Sequence, residues 1–236
     1  MMYRFYNKIK RKLFKGNTIY TKGVFNSAIN TSLYKCNINV GAGAKLTIAE
    51  HVNMQYVNIE VTEGQVYIGE HCMLNGTKNS PVHISVNGAL HIEHHNVVYG
   101  NITVRFNGVC NIGSYNGIMH QTEIRCDESI NIGSFNMISY DCMIYDTNTH
   151  CQLDAEIRQQ QTINDYPWIG KEYQKPVTAP VIIGSHCWLG KRSVVLKGVI
   201  IGNGVTVGAQ AVVTKNISDG ALAYGNPAII KMKNVL

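Results

Sequence analysis

Residues 181–215 read VIIGSHCWLGKRSVVLKGVIIGNGVTVGAQAVVTK. Aliphatic residues recur in it at every sixth position: Ile183, Leu189, Val195, Ile201, Val207 and Val213. Gly184, Gly190, Gly202 and Gly208 each directly follow one of them, and Cys187, Ser193, Val199, Val205 and Ala211 stand four residues after an aliphatic position. A period of six is neither that of a helix nor that of a plain alternating strand. It fits a short strand and a turn, repeated so that every sixth side chain points inward, with glycine where the backbone bends tightly.

The same unit continues towards the N-terminus in longer coils. Ile68-Gly69, Ile92-Glu93, Ile112-Gly113 and Ile132-Gly133 head the coils, the last three spaced by 20. The six-step runs on within them as Ile112, Ile118, Ile124 and then Ile132, Ile138, Ile144. Four residues before each head ends a turn pair: Glu63-Gly64, Asn87-Gly88, Asn107-Gly108 and Asp127-Glu128. Each coil therefore carries three six-residue faces and a two-residue insertion at one corner. Three faces per coil predict an all-β solenoid, a triangular prism of parallel strands stacked ~4.8 Å apart. Each coil buries its inward row only against its neighbours, so residues 17–236 are expected to form one domain.

Composition agrees with a packed domain. The chain has 236 residues, 45% hydrophobic and 15% charged, which excludes a disordered tail. No apolar run reaches the ~18 residues of a membrane-spanning helix. Seven cysteines with no CxxC pair, behind an opening without the features of a signal peptide, are expected to be reduced thiols used as small buried hydrophobes, in the cytoplasm. The net charge of +6 is concentrated in Arg4, Lys8, Lys10, Arg11, Lys12 and Lys15, so a nucleic-acid groove is not expected. Met2, Phe5, Ile9 and Leu13 fall at helical spacing among those charges. Residues 1–16 are therefore expected to form a short basic amphipathic helix, which either meets an anionic membrane surface or plugs the end of the solenoid.

The repeat breaks after Ile144, and a long loop excursion follows at about 146–180. A loop of that length inside a compact fold is usually functional or disordered. It opens with Asp146-Thr-Asn148-Thr-His150 and carries Tyr166, Trp168 and Tyr173.

Taken with Ile183-Gly184-Ser-His-Cys-Trp188-Leu189-Gly190, Val212-Val213-Thr214-Lys215 and Gly225-Asn226-Pro227-Ala228, the chain resembles the hexapeptide-repeat acyltransferase family. The similar branch is that of the galactoside, maltose, xenobiotic and polysaccharide O-acetyltransferases. The resemblance covers about residues 105–232 and implies a left-handed parallel β-helix, where general chain rules favour right-handed crossovers. It also implies acetyl-CoA as acyl donor, no metal, a saccharide hydroxyl as acceptor, and a homotrimer with active sites between subunits. A surface polysaccharide or its precursor is the expected acceptor, handled at the inner membrane face. The alternatives are another acceptor (an antibiotic hydroxyl, serine or a nucleotide-sugar amine) or a non-catalytic solenoid scaffold.

The resemblance gives His150 the role of general base, the side chain best matched to deprotonating an alcohol near neutral pH. It places the cofactor against Trp188, Gly190, Lys191, Ala209, Thr214 and Lys215, with Lys191 standing where the galactoside enzymes carry serine. Asp127, Gln121 and Asp146 are the expected acceptor contacts; turn chemistry alone also favours Asp at position 127. His51, His71 and His186 read as turn residues. His91, His94 and His95 cluster, but no two histidines have the His-x4-His spacing of the zinc enzymes of this fold.

Overall fold

The computed structural model describes residues 3–5, 11–13 and 16–232. The six-residue step becomes three inward columns. Ile132, Ile183 and Ile201 stack in one ladder, Ile138, Leu189 and Val207 in the second, and Ile144, Val195 and Val213 in the third. All nine are buried. One coil thus runs through Val181–Ile183 on the first face, Trp188–Leu189 on the second and Val194–Val195 on the third, and Ile200–Ile201 starts the next. The pairing is parallel throughout these coils, as the left-handed parallel β-helix requires.

In the earlier coils the third face and the following first face merge into long strands, Val57–Ile68, Val82–Ile92 and Asn101–Ile112. Glu63-Gly64, Asn87-Gly88 and Asn107-Gly108 are bends inside these strands, near which the ladder register shifts, while Asp127-Glu128 separates the strands Glu123–Cys126 and Ser129–Ile132. Gly64 sits in the left-handed region at φ 80°, and a Cβ on it would lie 1.9 Å from the Gly88 carbonyl oxygen, so only glycine fits.

The corner between the first and second faces carries two columns. Inside, Asn96, Asn116 and Asn136 are buried, and each Oδ1 accepts the backbone N–H of the next coil, from Asn116 (2.8 Å), Asn136 (2.9 Å) and Cys187 (2.7 Å). These amides satisfy backbone groups that the corner takes out of the strand ladder. Outside, His51, His71, His95, Tyr115, Phe135 and His186 stack ring on ring at 4.7–5.1 Å, all with positive φ. His51, His71 and His186 are the turn residues their positions suggested. Six cysteines, 36, 72, 110, 126, 142 and 187, are free and buried; Cys151 is half-buried in the excursion.

The expected N-terminal helix needs correction. Tyr3–Phe5 is a strand antiparallel to Val24–Ser27, and Arg11–Leu13 is a strand antiparallel to Asn17–Thr21. The first coil offers an open strand edge, and backbone pairing to it outweighs the helical spacing of four apolar residues. Residues 1–2, 6–10 and 14–15 lie outside the described residues. At the other end Ala221–Tyr224 and Ile229–Met232 form an antiparallel pair. No described helix is long and apolar enough to cross a membrane.

The excursion leaves after Met143–Tyr145 on the third face and returns at Val181–Ile183 on the first. It is not irregular throughout: Ala155–Asp165 forms a helix with no buried residue.

Candidate active site at the excursion

The departing chain leaves a gap at the corner between the third and first faces, and Asp146 fills it. Its buried carboxylate accepts the backbone N–H groups of Asp127 (2.7 Å), Glu128 (2.8 Å) and Ser129 (2.7 Å). Those three donors lose their strand partner where the chain turns away. Asp127 is also fully buried and is gripped by Arg105 through Nε–Oδ1 (2.8 Å) and Nη2–Oδ2 (2.6 Å). Both aspartates are therefore committed inside the protein, which corrects the expectation that they contact the acceptor.

Arg105 Nη2 also donates to the carbonyl of Thr149 (3.3 Å), and Thr149 adopts φ 65°. This anchors the residue before His150. The His150 side chain is 52% exposed, with Nδ1 2.6 Å from Oε1 of Glu172, whose side chain is 3% exposed. Oε2 of Glu172 accepts the backbone N–H of Cys151 (3.1 Å). Arg158, on the excursion helix, donates to the Cys151 carbonyl (2.5 Å) and places Nη1 3.8 Å from Glu172 Oε1. Burial pushes the Glu172 carboxyl upward, but the hydrogen bonds from His150 and the Cys151 amide outweigh it, and the group stays below the usual glutamate range. A carboxylate at this distance accepts from Nδ1–H, and in that tautomer Nε2 is the nitrogen with a free lone pair. Burial and the hydrogen bond and charge of Glu172 push the Cys151 thiol up, which favours its protonated form.

Gly170 brings its backbone close to this ring: a Cβ on it would lie 3.8 Å from His150 Cε1. Beyond it an open cleft of about 740 Å³ is lined by Tyr166, Trp168, Lys171 and Tyr173 among others. Trp168 is 79% exposed.

The remaining expected residues lie elsewhere on the prism. Trp188 is half exposed on the second face, between Met137 and Thr206 in the ladder. Lys191 follows at the corner between the second and third faces, with Nζ 3.7 Å from Asp141; its carbonyl accepts the N–H of Gln210, beside exposed Ala209. Gln121 is exposed at that same corner two coils earlier and donates to Ser80 Oγ (3.0 Å). Thr214 and Lys215 are exposed just past Val212–Val213. Gly190 is buried, and a Cβ on it would meet the Ala209 nitrogen at 2.6 Å. The absence of a side chain there lets successive coils approach. Among the described residues no three His, Cys, Asp or Glu converge as a metal-ligand set.

One chain therefore does not bring His150 and Trp188 together: the excursion leaves the 3–1 corner, and the second face lies across the prism from it. Sequence reasoning missed Glu172 and Arg158. No residue spacing marks Glu172, which reaches His150 only through the fold of the excursion.

Residues 180–215 match the family model described as bacterial transferase hexapeptide (six repeats). Over these residues the chain is similar to the hexapeptide-repeat transferases, and the parallel prism agrees with that likeness. Galactoside O-acetyltransferase of Lactococcus lactis subsp. lactis is 35% identical to it over 88 residues, 37% of this chain and 36% of that protein. A Staphylococcus aureus protein (strain Mu50) carried under a provisional acetyltransferase name is 46% identical over 61 residues, 26% of this chain and 30% of its own length. The match thus spans about a third of the length of these curated relatives. Among solved structures the polysialic acid O-acetyltransferase OatWY is 20% identical with a TM-score of 0.50, over 90% of this chain and 85% of its own, a likeness of fold.

Proposed function

We propose that this chain is an acetyl-CoA-dependent O-acetyltransferase that modifies a saccharide hydroxyl, with His150 as general base. The observation that carries the reading is the 2.6 Å contact between His150 Nδ1 and the enclosed Glu172 carboxylate. It favours the Nδ1–H tautomer that a base acting through Nε2 requires, and Gly170, which lies close to the ring, also borders the open aromatic-lined cleft. Nε2 takes the proton of the attacking hydroxyl as its oxygen bonds to the thioester carbonyl carbon. The carbon–sulfur bond then breaks, and the imidazolium returns the proton to the departing thiolate. Acetyl-CoA supplies an activated acyl group, so no covalent enzyme intermediate is needed. The names of the galactoside and polysialic acid relatives support a saccharide acceptor, and Tyr166, Trp168 and Tyr173 offer it stacking surfaces.

The proposed assembly is a homotrimer. The placement of His150 and Trp188 on opposed sides of the prism favours a site completed by two chains, with Trp188, Lys191, Ala209, Thr214 and Lys215 lining the donor groove and Gln121 further along the same corner. The charge of residues 1–16 fits contact with an anionic membrane from the cytoplasmic side; equal partition of the full chain and residues 17–236 into anionic vesicles would overturn that part.

Thiol release from acetyl-CoA, measured against a panel of sugars and sugar polymers, tests the activity. Acceptor-dependent release that falls about 100-fold or more in His150→Ala is expected. Release that survives the substitution would remove His150 as base, and no release with any acceptor would overturn acetyl transfer to saccharides. Co-assembly of His150→Ala with Trp188→Ala chains tests the shared site. Each variant alone is expected to be impaired, while random mixing restores about one site in four.

A further inference from the structure

We propose that Arg158, on the exposed helix of the excursion, is a positioning residue that lets Glu172 stay charged while His150 stays neutral. The inference rests on the reading of His150 as a general base. Glu172 is almost enclosed, and a buried carboxylate must be compensated by charge or hydrogen bonds. If His150 supplied the compensating charge it would hold the very proton that a base must be free to accept. Arg158 brings a permanent positive charge to the same place: its Nη1 lies 3.8 Å from Oε1, the oxygen that faces His150 Nδ1. Its Nη2 donates to the carbonyl of Cys151, whose amide in turn donates to Glu172 Oε2. The guanidinium, the Cys151 peptide and the carboxylate form one closed set of contacts.

The helix itself has no buried residue, so packing does not explain how it is held. Polar ties clip it to the returning limb: Gln161 Nε2 to the Lys171 carbonyl (2.9 Å) and Tyr173 OH to Asp165 (2.6 Å), besides Arg158. Of these, Arg158 is the one that reaches the carboxylate. The other charged groups nearby are engaged elsewhere. Lys171 Nζ lies over the Tyr173 ring, Arg105 is bound to Asp127, and the Cys151 thiol favours its protonated form.

The experiment compares Arg158→Gln, Arg158→Met, Arg158→Lys and Gln161→Ala in the full-length protein. Two readouts are taken: the pH dependence of kcat, and the His150 tautomer at pH 8 from long-range proton–nitrogen NMR. In Arg158→Gln and Arg158→Met the acid limb of the profile is expected to move up by about one pH unit. The rate near neutral pH should fall about 10-fold with KM for acetyl-CoA unchanged, and the pure Nδ1–H tautomer should become a mixture. Arg158→Lys restores the acid limb because it keeps the charge, and Gln161→Ala moves neither readout. An acid limb and tautomer unmoved in Arg158→Gln and Arg158→Met, or moved equally by Gln161→Ala, would overturn the assignment. If one of the two neutral variants fails to fold, the other carries the same comparison. If the wild type releases no thiol, the acetyl-transfer reading fails, while the tautomer still decides the role of Arg158.

Discussion

Arg105 grips Asp127 through two parallel hydrogen bonds, and the same guanidinium holds the carbonyl of Thr149, one residue before His150. A contact between coils thereby sets where the excursion begins. The acid is fully buried, so removing either partner leaves the other uncompensated. Arg105→Ala is expected to cost about 3–5 kcal/mol of unfolding free energy. Denaturant titration checks it, and an Arg105→Ala protein with wild-type stability would show the pair to be dispensable. Replacing both residues together should cost less than the sum of the two single changes.

Asp146→Ala removes the acceptor for three backbone N–H groups at once. A loss of about 2–4 kcal/mol is expected, with Asp146→Asn losing less because its one oxygen retains part of the set. Thermal melts of the three proteins test the order, and equal melting temperatures would contradict the capping role.

The second glycine of the repeat gives a steric prediction. A methyl group at position 190 would meet backbone of the next coil at 2.6 Å. Gly190→Ala should destabilise by about 1–3 kcal/mol, whether or not acetyl-CoA is present. A variant that folds as well as wild type but binds acetyl-CoA more weakly would return Gly190 to the cofactor site.

Alkaline pH should loosen the core. Burial pushes the Cys110 thiol from its ordinary 9.0 up to about 12. Between those values the unfolded chain sheds the proton while the folded protein keeps it, so stability falls as pH rises and is unaffected below 9 by this group. Denaturant midpoints at pH 8, 9.5 and 11 should decline, and Cys110→Ala should flatten part of the decline. Cys126, also pushed up by burial, accounts for more of it. A midpoint constant to pH 11 would disprove the linkage.

The prism was legible because Ile183, Leu189, Val195 and their successors obey one spacing without interruption, and inward packing depends only on that spacing. The corner glycines and the buried cysteines followed from it. Position 127 was harder. An aspartate at a turn reads the same whether it faces solvent or a buried arginine, and Arg105 lies 22 residues away. The N-terminal segment misled because four apolar residues at helical spacing say nothing of an open strand edge nearby. Glu172 was invisible for a different reason: its meeting with His150 depends on the path of the helix between them, which no periodicity encodes.

The excursion leaves one face and re-enters at the next while Met143 still pairs with Val194 across the gap. The third-face ladder thus continues past the excursion, and Asp146 at its root caps the open corner. Reactive parts and load-carrying parts can change at separate rates. A different looped-out segment, spliced between the same two strands, would inherit a finished frame and bring its own choice of acceptor.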